Sequence, residues 1–244
     1  MKRTYFMADA HLGTRTIADV RAHEQKIVNW LDAASRDAEA IYLLGDIFDF
    51  WFEYKTVVPK GYCRLLGKLC EITDSGIPVH FFTGNHDLWT FGYLEQEIGL
   101  IVHRNPIITQ IGGKKFFLAH GDGLNDNSHS FKLLRAIFHN KLLQKGFRAL
   151  PPTWGQRLGY AWSARNRRNH DLKGSFRGME HEPLIRFAMQ HSSQHNVDYY
   201  IFGHRHILLQ KTLPTGAQIA IIGDFMQQFS YAVFDGMLHT KCLQ

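Results

Sequence analysis

An α/β fold is what this sequence predicts, and three observations predict it. Strand-length apolar runs alternate with segments of helical period through the N-terminal part of the chain. Each of these runs gives way to a short polar motif. The 244 residues, 45% of them hydrophobic, are enough to bury one core, read here as one domain over 1–244 with an insertion.

Taken in order, Thr4–Ala8 reads as a strand that stops at Asp9. Val20, Ile27, Val28, Leu31 and Ala34 recur at helical spacing and predict a helix over Asp19–Ala34. Ala40–Leu44 is a second strand. Tyr62–Thr73 is a helix with Leu65, Leu66, Leu69 and Ile72 on one side, ended by Gly76 and Pro78. Cys63 and Cys70, seven apart, are expected to share its buried face. Val79–Thr83 is a third strand, and Ile107–Ile111 and Lys115–Ala119 form a hairpin across Gly112-Gly113. Ser130–Ala149 reads as a single helix stopped by Pro151-Pro152, followed by an aromatic-rich helix over Trp154–Ala164. A helix over Glu182–His195 leads to strands at Tyr199–Phe202, Gln218–Ile222, Tyr231–Phe234 and Met237–Cys242.

The charge is uneven. Between Leu124 and Glu180 eleven Lys and Arg face three Asp and Glu, a local +8 that leaves the remainder at −2 and the chain at +6. Asp9 and His11 interrupt the N-terminal apolar stretch, so it does not read as a signal peptide, and no run is long enough to span a bilayer. The three cysteines form no metal-type pair and read as reduced thiols.

Five motifs carry the chemistry: Asp9-Ala10-His11, Gly45-Asp46-Ile47-Phe48-Asp49, Gly84-Asn85-His86-Asp87, His120-Gly121-Asp122 and Gly203-His204-Arg205-His206. All fall at the carboxyl ends of expected strands, where the loops of an α/β sheet converge on one crevice. Each offers carboxylate, amide or imidazole donors, and together they suffice for two adjacent divalent cations, a standard arrangement for cleaving phosphate esters. Mixed oxygen and nitrogen donors suit manganese, iron, cobalt or zinc better than calcium or magnesium alone.

On these motifs the chain resembles the calcineurin-like metallophosphoesterase superfamily, whose pattern D-x-H, G-D-x-x-D, G-N-H-D/E, a later His and G-H-x-H is matched in full. The resemblance covers essentially the whole chain. It implies a four-layer α/β/β/α sandwich with a binuclear site. It also implies that Asp9, His11, Asp46 and His206 hold one ion and Asp46, Asn85, His120 and His204 the second, with Asp46 bridging. Asn85, His86 and Asp87 are the implied catalytic group. Asp49, Asp87 and Asp122 fall outside the ligand set and are expected to orient histidines or loop amides.

Gly45-Asp46-Ile47-Phe48-Asp49-Phe50-Trp51 further resembles the G-D-x-F-D-x-W segment of the UDP-2,3-diacylglucosamine pyrophosphatases of bacterial lipid A biosynthesis, and the insertion over about 124–180 resembles that family's helical lid. The resemblance implies hydrolysis of UDP-2,3-diacylglucosamine to UMP and 2,3-diacylglucosamine 1-phosphate, with manganese as the metal. It implies a cytoplasmic enzyme, peripheral on the inner membrane, with no nucleic-acid partner; it does not imply an oligomeric state. In the insertion, Phe131 and Phe138 are candidates for apolar substrate contact, and Ser163, Asn166, Arg167, Asn169 and Lys173 for polar contact. Its basic, aromatic composition suits an acyl chain and an anionic membrane surface, and equally a helical hairpin packed on the core.

The third motif departs from the G-N-R-D common in that family, since His86 stands where Arg is usual. An imidazole can protonate a departing alkoxide, so phosphodiester or phosphomonoester chemistry stays open. A nuclease using the basic segment to track phosphates, and a scaffold that has lost its metals, are the competing readings.

Overall fold

Alternation in the first strand sets the layering. Within Arg3–Met7 (β1), Tyr5 and Met7 pack with the helices that follow, while Phe6 packs in a second cluster against another sheet. The structure is a computed structural model that describes residues 2–125, 129–171 and 176–243, without the side chains at 129–132, 134 and 166–171. After β1 come α1 (Val20–Ser35), β2 (Ala38–Leu43), α2 (Cys63–Asp74), β3 (Val79–Phe82), α3 (Tyr93–Gln96), β4 (Ile101–His103), β5 (Ile107–Ile111) and β6 (Lys114–Ala119). Three helices follow, α4 (His129–His139), α5 (Lys141–Arg148) and α6 (Pro152–Asp171), then α7 (Pro183–Ser192), β7 (Tyr199–Phe202), β8 (Leu208–Thr212), β9 (Gln218–Ile222), β10 (Ser230–Phe234) and β11 (Leu238–Cys242).

Two mixed sheets result, ordered β11-β10-β1-β2-β3-β4 and β5-β6-β7-β9-β8. Strands β1 to β4 run parallel, as do β6, β7 and β9, while the flanking strands are antiparallel. One core joins α1 and α2 to the first sheet through Ile27, Trp30, Leu31, Leu65 and Leu69. A second fills the space between the sheets with Phe6, Tyr42, Phe82, Phe116, Ile201 and Ile222. A third packs Leu184, Ile185 and Ala188 of α7 on the outer face of the second sheet. The order is therefore helices, sheet, sheet, helix: the α/β/β/α sandwich.

Three sequence expectations need correction. The helix expected over Ser130–Ala149 is two helices, broken at Asn140, whose side chain accepts from the amides of Leu142 and Leu143 and so starts α5. Cys63 is exposed and Cys70 half-buried, because Leu65, Leu66, Leu69 and Ile72 occupy the face turned to the core. Val20 is exposed, and Trp30 takes the buried position in α1. The short elements α3, β4 and β8 had no sequence signal of their own.

Candidate metal centre

All five motifs lie just beyond strand ends, after β1, β2, β3, β6 and β7. The backbone there is unusual. Of the eight non-glycine residues with positive φ among the described residues, five are Asp9, His11, Asp46, His204 and His206. Left-handed backbone costs a residue with a Cβ on the order of 1–3 kcal/mol and clusters at functional sites; here it turns these side chains inward. The turn after β3 needs a glycine for another reason: a Cβ at Gly84 would collide with the Asp46 carboxylate.

The side chains converge. His11 Nε2 lies 3.3 Å from His206 Nε2 and 3.7 Å from Asp9 Oδ1, which is 3.4 Å from His206 Nε2. Asp46 Oδ2 lies 3.9 Å from His11 Nε2 and 3.3 Å from His120 Nε2. Ligand atoms of Asp9, His11 and His206 fall within 4.8 Å of one another, as do those of Asp9, Asp46 and His120, and of His11, Asp46 and His86. Asp46 thus stands between two sets. The His204 ring packs edge-on to His120 at 5.1 Å, outside these close triads.

The donors fit divalent cations. Asp9 Oδ1 and Asn85 Oδ1 are buried and accept no hydrogen bond, an arrangement that costs free energy unless a cation meets those lone pairs. Burial raises the Asp46 carboxyl, but the imidazoles of His120, His86 and His11 outweigh it and hold it well below the usual range. Burial would lower His120, yet Asp46 raises it well above the usual imidazole value.

Asp87, expected in the catalytic group and to orient histidines or loop amides, orients loop amides. Its carboxylate accepts from the amides of Ile47 and Gly84 at 2.8 Å and of Asp46 and Phe48 at 3.2 and 3.3 Å, tying the second and third motifs together. Burial, then the charge of Asp46, push that carboxyl up to about 7. The His86 ring is held by Asp49 and Ser163: Nδ1 lies 2.9 Å from the Asp49 carbonyl and 3.0 Å from Ser163 Oγ. A carbonyl only accepts, so the proton sits on Nδ1. Burial lowers the His86 imidazole to about 4, so it is neutral at pH 7.

Helices α4, α5 and α6 pack beside this cluster. Phe138 meets the Trp89 and Trp162 rings at 5.3 and 5.4 Å, and Phe147 meets Phe52 at 4.8 Å. The Tyr160 hydroxyl on α6 lies 2.8 Å from that of Tyr62. Between these helices and the core is a cavity of about 350 Å³ lined by Phe50, Trp89, Phe138, Leu143 and Trp162, with Asn85 and His86 at its edge. Of the expected substrate contacts, Phe138 lines the cavity, and Ser163 lines it while bonded to Asp49 and His86. The side chains of Phe131, Asn166, Arg167 and Asn169, and all of Lys173, lie outside the described residues.

Supporting residues without a sequence signal also emerge. Arg205 pairs with Glu182 at 2.6 Å, both buried, anchoring the start of α7 to the loop bearing His204 and His206. Asp224 accepts from the side chain of Gln228, which also donates to the His206 carbonyl at 2.6 Å. Glu53 accepts from the amides of Phe91 and Tyr93.

Comparison with known proteins agrees with this geometry. Residues 2–208 match the family model described as calcineurin-like phosphoesterase. The chain is 41% identical over 247 residues to a UDP-2,3-diacylglucosamine hydrolase of Porphyromonas gingivalis, covering 96% of this chain and 94% of that protein. Proteins of the same name from Nitrosococcus oceani and Vibrio cholerae are 28% and 27% identical, covering 83% and 97% of this chain and 78% and 96% of theirs. With the motifs, the sandwich and the converging donors in place, the chain belongs to the calcineurin-like phosphoesterase family.

Proposed function

We propose that this chain hydrolyses the pyrophosphate of UDP-2,3-diacylglucosamine, giving UMP and 2,3-diacylglucosamine 1-phosphate. The apolar cavity carries the reading, because it opens beside Asn85 and His86 and suits the acyl part of such a substrate. The name and coverage of the Porphyromonas gingivalis relative support it. Asp9, His11, Asp46 and His206 would hold one divalent cation and Asp46, Asn85, His120 and His204 the other, with manganese the proposed metal. When bound, such a pair supplies a more acidic water and neutralises charge on phosphoryl oxygens.

The chain's own groups do the rest. Asp87 fixes the loops that present Asp46 and Asn85. His86 keeps its proton on Nδ1, directed at the Asp49 carbonyl, and its Nε2 edge lies 4.0 Å from Asp46 Oδ2. That edge accepts a hydrogen bond rather than donating one. A departing sugar phosphate, with a second pKa of about 6, needs no proton from it.

Membrane association belongs to the same proposal. No helix among the described residues is long and apolar enough to cross a membrane. Leu133, Leu142 and Trp154 of the insertion are exposed within the basic segment, which suits a peripheral position on the cytoplasmic face of the inner membrane.

Phosphorus NMR of the purified protein with manganese and UDP-2,3-diacylglucosamine tests the reaction. Resonances of two phosphomonoesters should replace the pyrophosphate pair. An unchanged pyrophosphate, with turnover of simple phosphodiesters, would reassign the chain to general phosphodiesterase chemistry.

A further inference from the structure

The inserted helix α6 reaches the interior of the cluster at Ser163. Ser163 is 1% exposed. Its Oγ lies 2.8 Å from Asp49 Oδ1 and 3.0 Å from His86 Nδ1. Asp49 Oδ1 and His86 Nδ1 are themselves 4.0 Å apart, beyond hydrogen-bond reach. A carboxylate only accepts, so the serine O–H donates to Asp49, and its oxygen lone pair is turned to the imidazole N–H. The hydroxyl therefore completes a path from the Asp49 carboxylate to the His86 ring.

The approach of the helix is built for this contact. Gly159 lies one turn before Ser163, on the same face of α6. A Cβ at Gly159 would collide with the Phe50 ring. Leu158, Gly159, Trp162 and Ser163 all line the apolar cavity, so one face of α6 both bounds the cavity and touches His86.

We propose that Ser163 is a positioning residue, supplied by the insertion, that holds the His86 imidazole in its working orientation. The insertion then belongs to the catalytic arrangement and is more than a cover over the apolar part of the substrate. Ser163 acts through His86 instead of touching the nucleotide or sugar. The inference rests on the proposed phosphoesterase site, in which His86 turns its accepting Nε2 edge towards Asp46, and is independent of which lipid is the substrate.

A double-mutant cycle on bis(p-nitrophenyl) phosphate with manganese tests it, since that diester carries neither nucleotide nor acyl chain. Ser163→Ala should lower kcat by about 3–10-fold, the effect of one lost orienting hydrogen bond, with KM changed less than about twofold. His86→Ala should lower kcat at least as much. The double variant should be no slower than His86→Ala alone. Gly159→Ala, which removes no polar atom, should reproduce the kcat loss by lifting α6 from Phe50. Any of three results would overturn the proposal: multiplicative losses in the double variant, a rise in KM at constant kcat, or a His86→Ala enzyme as fast as wild type. The phosphorus NMR result is independent of all of these, so failure of the lipid reading and failure of this one are distinguishable.

Discussion

His11 Nε2 and His206 Nε2 face one another at 3.3 Å, although 195 residues separate them in the chain. Their rings stack at 5.1 Å with Asp9 Oδ1 beside both nitrogens. Three donors turned to one point from two strand ends suit a shared cation. A chelator should therefore lower the thermal midpoint, and manganese should restore it. At a hundredfold excess over Kd, one bound ion stabilises by about 2.7 kcal/mol. Thermal unfolding with and without manganese measures this, and an unmoved midpoint would count against binding.

Asp46 is the residue assigned to both ions. Asp46→Asn should lower metal content and reduce turnover by about 10²-fold or more, since it weakens both sites that stabilise phosphoryl charge. His120→Ala should chiefly empty the second site. Metal analysis and circular dichroism on the same samples separate ligand loss from unfolding. Normal metal content and turnover in Asp46→Asn would refute the assignment.

The cavity makes a prediction about substrates. Phe138 lines it and packs on Trp89 and Trp162. Phe138→Ser should raise KM for a long-chain nucleotide-sugar lipid by about tenfold, on the scale of 1.5–3 kcal/mol for a buried apolar side chain. It should spare bis(p-nitrophenyl) phosphate. Equal losses on both substrates would mean that this position serves packing alone.

A neutral His86 with its proton on Nδ1 is poorly suited to protonate a leaving group at pH 7. His86→Asn should therefore slow pyrophosphate cleavage by well under the ~10²–10⁴-fold that a general acid contributes. Steady-state rates of both enzymes at one pH and metal concentration decide this. A loss within that range would restore the general-acid role.

Remote from the site, His80 Nδ1 meets His103 Nε2 at 2.9 Å, and its ring stacks on Tyr42 at 4.3 Å. Burial, then the neighbouring His103, lower His80 to about 4; burial also lowers His103. In the unfolded chain an imidazole titrates near about 6.5. Between those values the unfolded state binds more protons, so stability should be full above the upper value and fall as pH drops towards the lower one. His80→Phe should flatten that slope in urea denaturation between pH 4 and 7. An unchanged slope would place the acid sensitivity elsewhere.

The strands that deliver the motifs were legible because each couples an apolar run to a polar break, as at Met7 to Asp9 and Phe202 to His204. What stayed hidden was either short or long-range. Strand β4 has three residues, and His103 interrupts its apolar character. Asn140 within an apolar period reads as one tolerated polar residue until its amide contacts reveal a helix start. The Glu182–Arg205 pair and the Ser163 bridge join residues 23 and 77 or more apart, which no local pattern records.

The left-handed backbone at Asp9, His11, Asp46, His204 and His206 has an energetic consequence. At each of these positions glycine would relieve local strain while deleting a donor. The fold thus holds its backbone away from its conformational optimum at the very positions that define the site, and that strain is the cost of bringing these five side chains together.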